Sequence, residues 1–461
     1  MTRLCFTFDS TAQQKAPSGP SLKSAGRGMP GWIFLAPLLA MPLASQAVDF
    51  GPFSLTGFAK LEGTLGSNHC EHCQLYPSED KQRFWADELV PGSIYETGTT
   101  NVFLFQPYLG AKFDLGRGYK LSALLSQRWR DGKEDIPGFL YDKNVALSHE
   151  DYGSLRIGDM TTRGWSVADY PYGTNFNVAD IWGASGAGYG LLRNAVRYTS
   201  RVLDVAEGDL VLEATYSAGN TDFEIHKPSF WEFYAQYHRG DLVVDAMIQD
   251  TKNGRPTAWG HGPFWAPSDS SADDSKIGGS RQSIAMIMAR YQVNSKLEVS
   301  GGLRRNHWSG SYAVITQPEL IDNQGVIIQS GLWNPMFNVD WGGMLNGVSN
   351  PGYPATSYDE MIGLRYRMGK WTPSFGLVHL GSASTDNPSE RGQSNSATVG
   401  TIGLNYDYGH GLQFYGFAGM VHYGRLGLSP MSMPGNSAFT NVDSRVTQNG
   451  AWIGIGSVFV F

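Results

Sequence analysis

Lys120-Leu-Ser-Ala-Leu-Leu-Ser-Gln-Arg-Trp-Arg130 sets Leu121, Ala123, Leu125 and Trp129 on one side of an extended chain and Ser122, Ser126, Arg128 and Arg130 on the other. Successive side chains of a strand point to opposite faces, so the first set suits hydrocarbon and the second suits water. Asp209 to Ser217 repeats the arrangement, with Leu210, Leu212, Ala214 and Tyr216 against Glu213, Thr215 and Ser217. Beyond it, Trp231, Phe233, Ala235 and Tyr237 oppose Glu232, Gln236 and His238. A period of two with no convincing helical period beside it is the pattern of a wall between lipid and water.

The same alternation marks sixteen stretches: 53–65, 99–114, 118–130, 139–149, 153–159, 193–200, 209–218, 230–239, 241–250, 281–292, 296–308, 357–368, 370–381, 397–408, 411–424 and 449–461. An even number returns both ends of a single-chain barrel to the same side of the membrane. The links alternate in length. Leu115-Gly-Arg-Gly118, Glu150-Asp-Tyr-Gly153, Arg239-Gly240, Val293-Asn-Ser295, Gly369 and Gly409-His-Gly411 are short, and those between them are mostly long. The predicted fold class is all-β, a transmembrane antiparallel β-barrel of 16 strands. Composition agrees, since 57 glycines, 13% aromatic residues and 3 cysteines suit tight turns and aromatic girdles. A mean hydropathy of −0.26 cannot supply the runs of about twenty apolar residues that helical spans need. A radial array of sheet blades would not segregate link lengths in this way, and no blade signature recurs.

One apolar run, Trp32 to Leu43, is too short to span a membrane and follows the scattered positive residues Lys15, Lys23 and Arg27. It reads as a signal peptide. Ser45 and Ala47 supply the small residues at −3 and −1 of a cleavage site, so the mature chain is expected to begin at Val48, with residues 1–47 removed. The polar stretch before Met29 is long for the charged part of a signal, which makes Met29 an alternative start. Residues 48–461 read as a single barrel domain with 31 basic and 41 acidic residues, a net charge of −10. A net acidic surface argues against nucleic acid as a partner and leaves the sign of charge inside a pore open.

The chain ends Val458-Phe-Val-Phe461, and upstream Gly153-Ser-Leu-Arg-Ile-Gly158 is followed by a long irregular stretch and then by Leu192-Arg-Asn-Ala-Val-Arg-Tyr198. In this layout the chain resembles the general porins of the Gram-negative outer membrane, of β-proteobacterial type, over nearly the whole mature sequence. In that family a strand of the first kind leads into the third long loop, which folds into the barrel and narrows it. The resemblance thus implies that residues 160–192 are an inward-folded constriction loop. It also implies a homotrimer set in outer-membrane lipid, and a terminal aromatic read by the insertion machinery. Its function would be a water-filled channel for passive diffusion of small hydrophilic solutes and ions, with no cofactor. One segment departs from the pattern: 309–356 is long and apolar, with Val326-Ile-Ile328 and Leu332-Trp333, and reads as a lid, a trimer contact or a ligand shelf.

A pore needs no nucleophile or proton relay; diameter and lining charge set its selectivity. Alternation puts Lys60, Arg128, Arg130, Arg156, Arg193, Arg197, Arg304, Arg365 and Arg367 on the water face. The expected constriction sets Arg128, Arg130, Arg156, Arg193 and Arg197 against Asp169 and Asp180 of the loop, with Asp159 at its start. Such opposed charges make a transverse field that favours dipolar solutes, and the excess of basic groups suggests mild anion preference, limited by salt screening. Trp165, Tyr170, Tyr172, Phe176, Trp182 and Tyr189 could stack on sugars, or simply pin the loop to the wall.

His69-Cys-Glu-His-Cys73 lies in the first long link. In an oxidising compartment Cys70 and Cys73 point first to a small disulfide. The alternative is a metal held by His69, Cys70, His72 and Cys73, though so compact a cluster strains tetrahedral geometry. Two competing functions remain. A substrate-specific channel would bind a sugar, an organic acid or phosphate. A barrel enzyme would need a Ser/His or Asp/His constellation, but His238, His307, His379 and His422 are isolated, with no Gly-x-Ser-x-Gly context.

Overall fold

The computed structural model describes residues 48–66, 99–134, 140–163, 191–218, 227–252, 280–310, 312–317, 320–321, 327–329, 332–337, 354–382, 384–385, 396–424 and 449–461. Among them sixteen strands form the wall: β1 Phe53–Gly66, β2 Thr99–Gly116, β3 Tyr119–Ser126, β4 Lys143–His149, β5 Gly153–Thr161, β6 Leu191–Thr199, β7 Gly208–Ser217 and β8 Ser229–Arg239. β9 is Leu242–Lys252, β10 Ser280–Gln292, β11 Leu297–Gly310, β12 Ala355–Tyr366, β13 Trp371–Leu380, β14 Ala397–Gly409, β15 Leu412–Tyr423 and β16 Asn449–Val460. Each pairs antiparallel with the next, and β1 pairs with β16 from Phe58↔Val460 to Gly66↔Trp452, which closes the barrel and leaves no open edge. Short turns join the strands at one end and long links at the other; in this class the long links are extracellular.

The alternation read from the sequence becomes an inside-out wall. Leu61, Val145, Ile157, Phe233, Ile248, Ile287, Leu303, Ile362, Ile402 and Ile455 stand exposed on the outside, Ile455 at 71%. Thr215, Glu232, Asn306 and Asp359, each at 1% or less, sit on the inside. At the short-turn end, Gly409, His410 and Gly411 all take positive φ (97°, 55° and 76°), so one turn residue without glycine's freedom sits between two that have it.

The predicted strand 118–130 is interrupted. β3 stops at Ser126, and Trp129–Arg130 resumes the pairing with β2 in unchanged register, since Tyr108↔Ser126 and Phe105↔Trp129 share one offset. The gap falls opposite Pro107, which has no N–H to give the ladder. The chain end closes the seam: Phe461 donates its N–H to the Gly57 carbonyl (3.0 Å) and accepts from the Gly57 N–H (2.8 Å), while its ring stacks on Phe105 and Phe459. Deleting Phe461 removes two backbone bonds and a packed ring, a loss of about 2–4 kcal/mol. We expect a lower urea midpoint for the folded, fast-migrating form in detergent gels; an unchanged midpoint would take the seam out of this account.

Candidate functional site

The inner wall from β4 to β9 carries a connected set of charged side chains. Arg197 on β6 donates to Thr215 Oγ1 of β7 (2.8 Å) and to the Thr161 carbonyl (2.8 Å), and lies 3.5 Å from Glu232 of β8. Arg163, just past the end of β5, forms a two-pronged ion pair with Glu213 of β7, and its backbone N–H meets both carboxylate oxygens of Glu232 at 3.0 Å. Its guanidinium also lies 5.2 Å over the Tyr234 ring. Thr199 of β6 donates to Glu213 (2.6 Å) and Gln249 of β9 to Glu232 (2.6 Å), so each carboxylate is held both by Arg163 and by a group on one flanking strand. Tyr234 and Gln236 both donate to Asp245. Fixed charges that satisfy one another cost the wall less desolvation than isolated ones.

The other predicted basic residues are distributed as follows. Arg156 donates to Asn144 of β4. Arg128 is buried with its guanidinium 5.6 Å over the Tyr141 ring, and Arg130 pairs through its backbone with Leu104 and Lys133. Lys60 lies 2.9 Å from Glu62, which also accepts from Tyr415 (2.7 Å). Arg304 is bound by Asp359 (2.7 Å), and Glu298 accepts from Arg365 and lies 3.9 Å from Arg367. Asp169 and Asp180, and the cluster His69, Cys70, His72 and Cys73, lie outside the described residues.

Arg193 is not brought beside Arg197. Gly158 pairs with Ala195 but Met160 pairs with Leu192, so β6 holds one extra residue opposite Asp159. At this bulge Asn194 takes φ 49°, and Asp159 accepts from its N–H (2.9 Å) and from the Arg193 guanidinium (2.6 Å), with Lys143 at 3.3 Å. A bulge resets the side-chain alternation, and here it moves Arg193 from the row of Arg197 to that of Lys143 and Asp159.

Sequence reasoning passed over Arg163, Glu213, Glu232, Asp245, Glu298 and Asp359 as site residues. Alternation had already set Glu213 and Glu232 on the water face; what it lacked was the register that pairs each with an arginine. The carboxylates thus sit beside the arginines in the wall, in addition to any contributed by the loop.

A model of the Gram-negative porin family matches residues 95–426. No curated protein sequence matches the chain. Among solved structures, the fold is similar to an anion-selective porin from Comamonas acidovorans, with 12% identity and a TM-score of 0.54 over 89% of this chain and 99% of that one. It is also similar to the trimer form of OmpT, an outer membrane protein of Vibrio cholerae, with 12% identity and a TM-score of 0.51 over 89% of this chain and 99% of that one. At such identities the likeness is one of fold; the family match spans well over half of the sequence. The closed sixteen-stranded barrel, apolar outside and charged inside, together with that match, places the protein in the outer membrane as a channel: it belongs to the Gram-negative porin family.

Proposed function

We propose that this porin is a homotrimeric diffusion channel for small hydrophilic solutes and ions with a mild anion preference, exported by residues 1–47, and a channel rather than an enzyme. The observation that carries this reading is the ion-paired inner wall around Arg197, Arg163, Glu213 and Glu232 inside a closed barrel. Apolar solutes would have to strip water ordered by those charges. Holding Arg163 against β7 and β8 starts the third long link over the inner wall, which supports an inward course for 160–192. The Comamonas relative is described as anion-selective and the Vibrio relative as a trimer, and both descriptions fit. Pairing of wall arginines with wall carboxylates keeps the preference small.

The test is single-channel recording of the refolded mature protein under a salt gradient, with Arg128→Glu beside the wild type. We expect insertion in steps of three, ohmic conductance, and a reversal potential that changes toward cations, several-fold in permeability ratio, in the variant. Absence of conductance would overturn the channel reading. Block by one solute class would favour a channel with a binding site for a sugar, an organic acid or phosphate.

A further inference from the structure

The outer wall is apolar over most of its height, but near the long-link end of β9 to β11 it carries an excess of positive charge. Ile248, Ile287 and Leu303 stand 57%, 51% and 59% exposed on that wall. By alternation Asp250 and Lys252 of β9, Arg281 of β10, and Arg305 and His307 of β11 share their face and point away from the lumen. Lys252 and Arg281 are directly opposite in register, an unfavourable placement for like charges. Asp250 accepts from Arg281 (2.6 Å), and one carboxylate cannot neutralise both. His307 is engaged through Nδ1 with Thr356 (2.9 Å). Arg305 stands exposed between Ala285 and Tyr358, its register partners, and forms no ion pair with a described residue. Glu360, the register partner of Leu303 one step lower on this face, is exposed and forms none either.

Strand length sets the height of these groups. With a rise of about 3.4 Å per residue and a tilt of about 40°, Arg305, eight residues from the short-turn end of β11 at Leu297, lies about 21 Å above it, and Lys252, ten residues from Leu242, about 26 Å. The apolar band of such a barrel is about 25 Å tall and is bounded by aromatic girdles. Both girdles are present on this side: exposed Tyr291, Tyr366 and Trp371 at the short-turn end, and above them Trp231 and Tyr358, the register partners of Asp250 and Arg305. The basic groups therefore stand at the headgroup level of the outer leaflet.

We propose that this patch binds the phosphate groups of an outer-leaflet lipid, whose acyl chains pack on Ile248, Ile287 and Leu303 below. Charge and shape select this occupant. A guanidinium fork matches phosphate with two parallel hydrogen bonds, and an anion among Lys252, Arg281 and Arg305 relieves their mutual repulsion. The exposed apolar rows directly beneath suit the tails of the same amphiphile.

The inference rests on the outer-membrane placement, and its test needs no conduction. The full mature protein, refolded in neutral detergent, is titrated with bis-phosphorylated lipid A, and the lipid retained on the folded protein is read by native mass spectrometry. We expect Lys252→Gln with Arg305→Gln to weaken the apparent affinity about tenfold and Glu360→Gln to strengthen it, while Arg201→Gln, at the opposite rim, leaves it unchanged. Dephosphorylated lipid A should bind about tenfold more weakly than the phosphorylated form. Equal affinity in the double variant or for the dephosphorylated lipid would overturn the proposal. Displacement by millimolar inorganic phosphate would also overturn it, since the patch would then serve free anions. So would a double variant whose oligomer falls apart in lipid-free detergent, since this face would then pack on a second copy. If the double variant does not refold, Glu360→Gln decides alone, and unchanged affinity there overturns the proposal. Phosphate-dependent binding by a chain that fails to conduct would keep this inference and sink the channel reading.

Discussion

Replacing Glu213 by alanine is expected to destabilise the folded barrel by about 3–5 kcal/mol, because it strands Arg163 in a buried site with its main carboxylate gone. The loss spreads beyond one pair. Thr199 loses its acceptor, and Glu232 is left to balance both Arg163 and Arg197. Arg163→Met in the same chain should recover most of the loss, since removing both partners of a buried pair costs far less than removing one. Urea unfolding of the four variants of this cycle measures the coupling directly; additive effects would mean that the two side chains do not depend on each other. Where Glu213→Ala remains folded, the uncompensated guanidinium should also raise the anion preference.

Gly158→Ala is expected to block folding of the β4–β5 seam, with a cost above about 3 kcal/mol. Gly158 has φ 128°, outside the range of ordinary side chains, and an added Cβ would stand 2.2 Å from the Lys143 carbonyl oxygen and 2.8 Å from the Asn144 Cα. Both are backbone atoms, so no rotamer change relieves the clash. The residue also sits at the bulge that lets Asp159 hold Arg193 and Asn194, so that local cluster should be lost with it. The measurement is the yield of heat-modifiable folded protein on refolding into detergent or vesicles. Normal yield would mean that β5 can shift along β4 without penalty. Gly116→Ala, at φ 79° in an open turn with no atom near the added Cβ, is a control that isolates backbone strain from the clash.

Much of this architecture is present in local patterns. Leu121, Ala123 and Leu125 against Ser122 and Ser126, repeated along the chain, determined strand number, barrel class and which face meets lipid, because a wall between two solvents imposes a two-residue period that survives without any knowledge of partners. The alternating link lengths determined which end carries the loops. The sequence by itself also put Arg197, Glu213 and Glu232 on the water face.

What only the tertiary structure decided is who stands next to whom. The pairing of Arg163 with Glu213, or of Arg304 with Asp359, depends on the register between strands, and register is a property of two segments that neither contains alone. The bulge opposite Asp159 shifts Arg193 by one residue, and no spacing in Leu192-Arg-Asn-Ala announces it. Pro107 interrupts a neighbour 20 residues away in sequence, at Gln127, for the same reason. The apolar rows on β12 to β15 are likewise invisible strand by strand, where each offers a few inward apolar side chains. They become a sector only when the register between successive strands sets Met361, Val378, Val399 and Val421 side by side on the inner face.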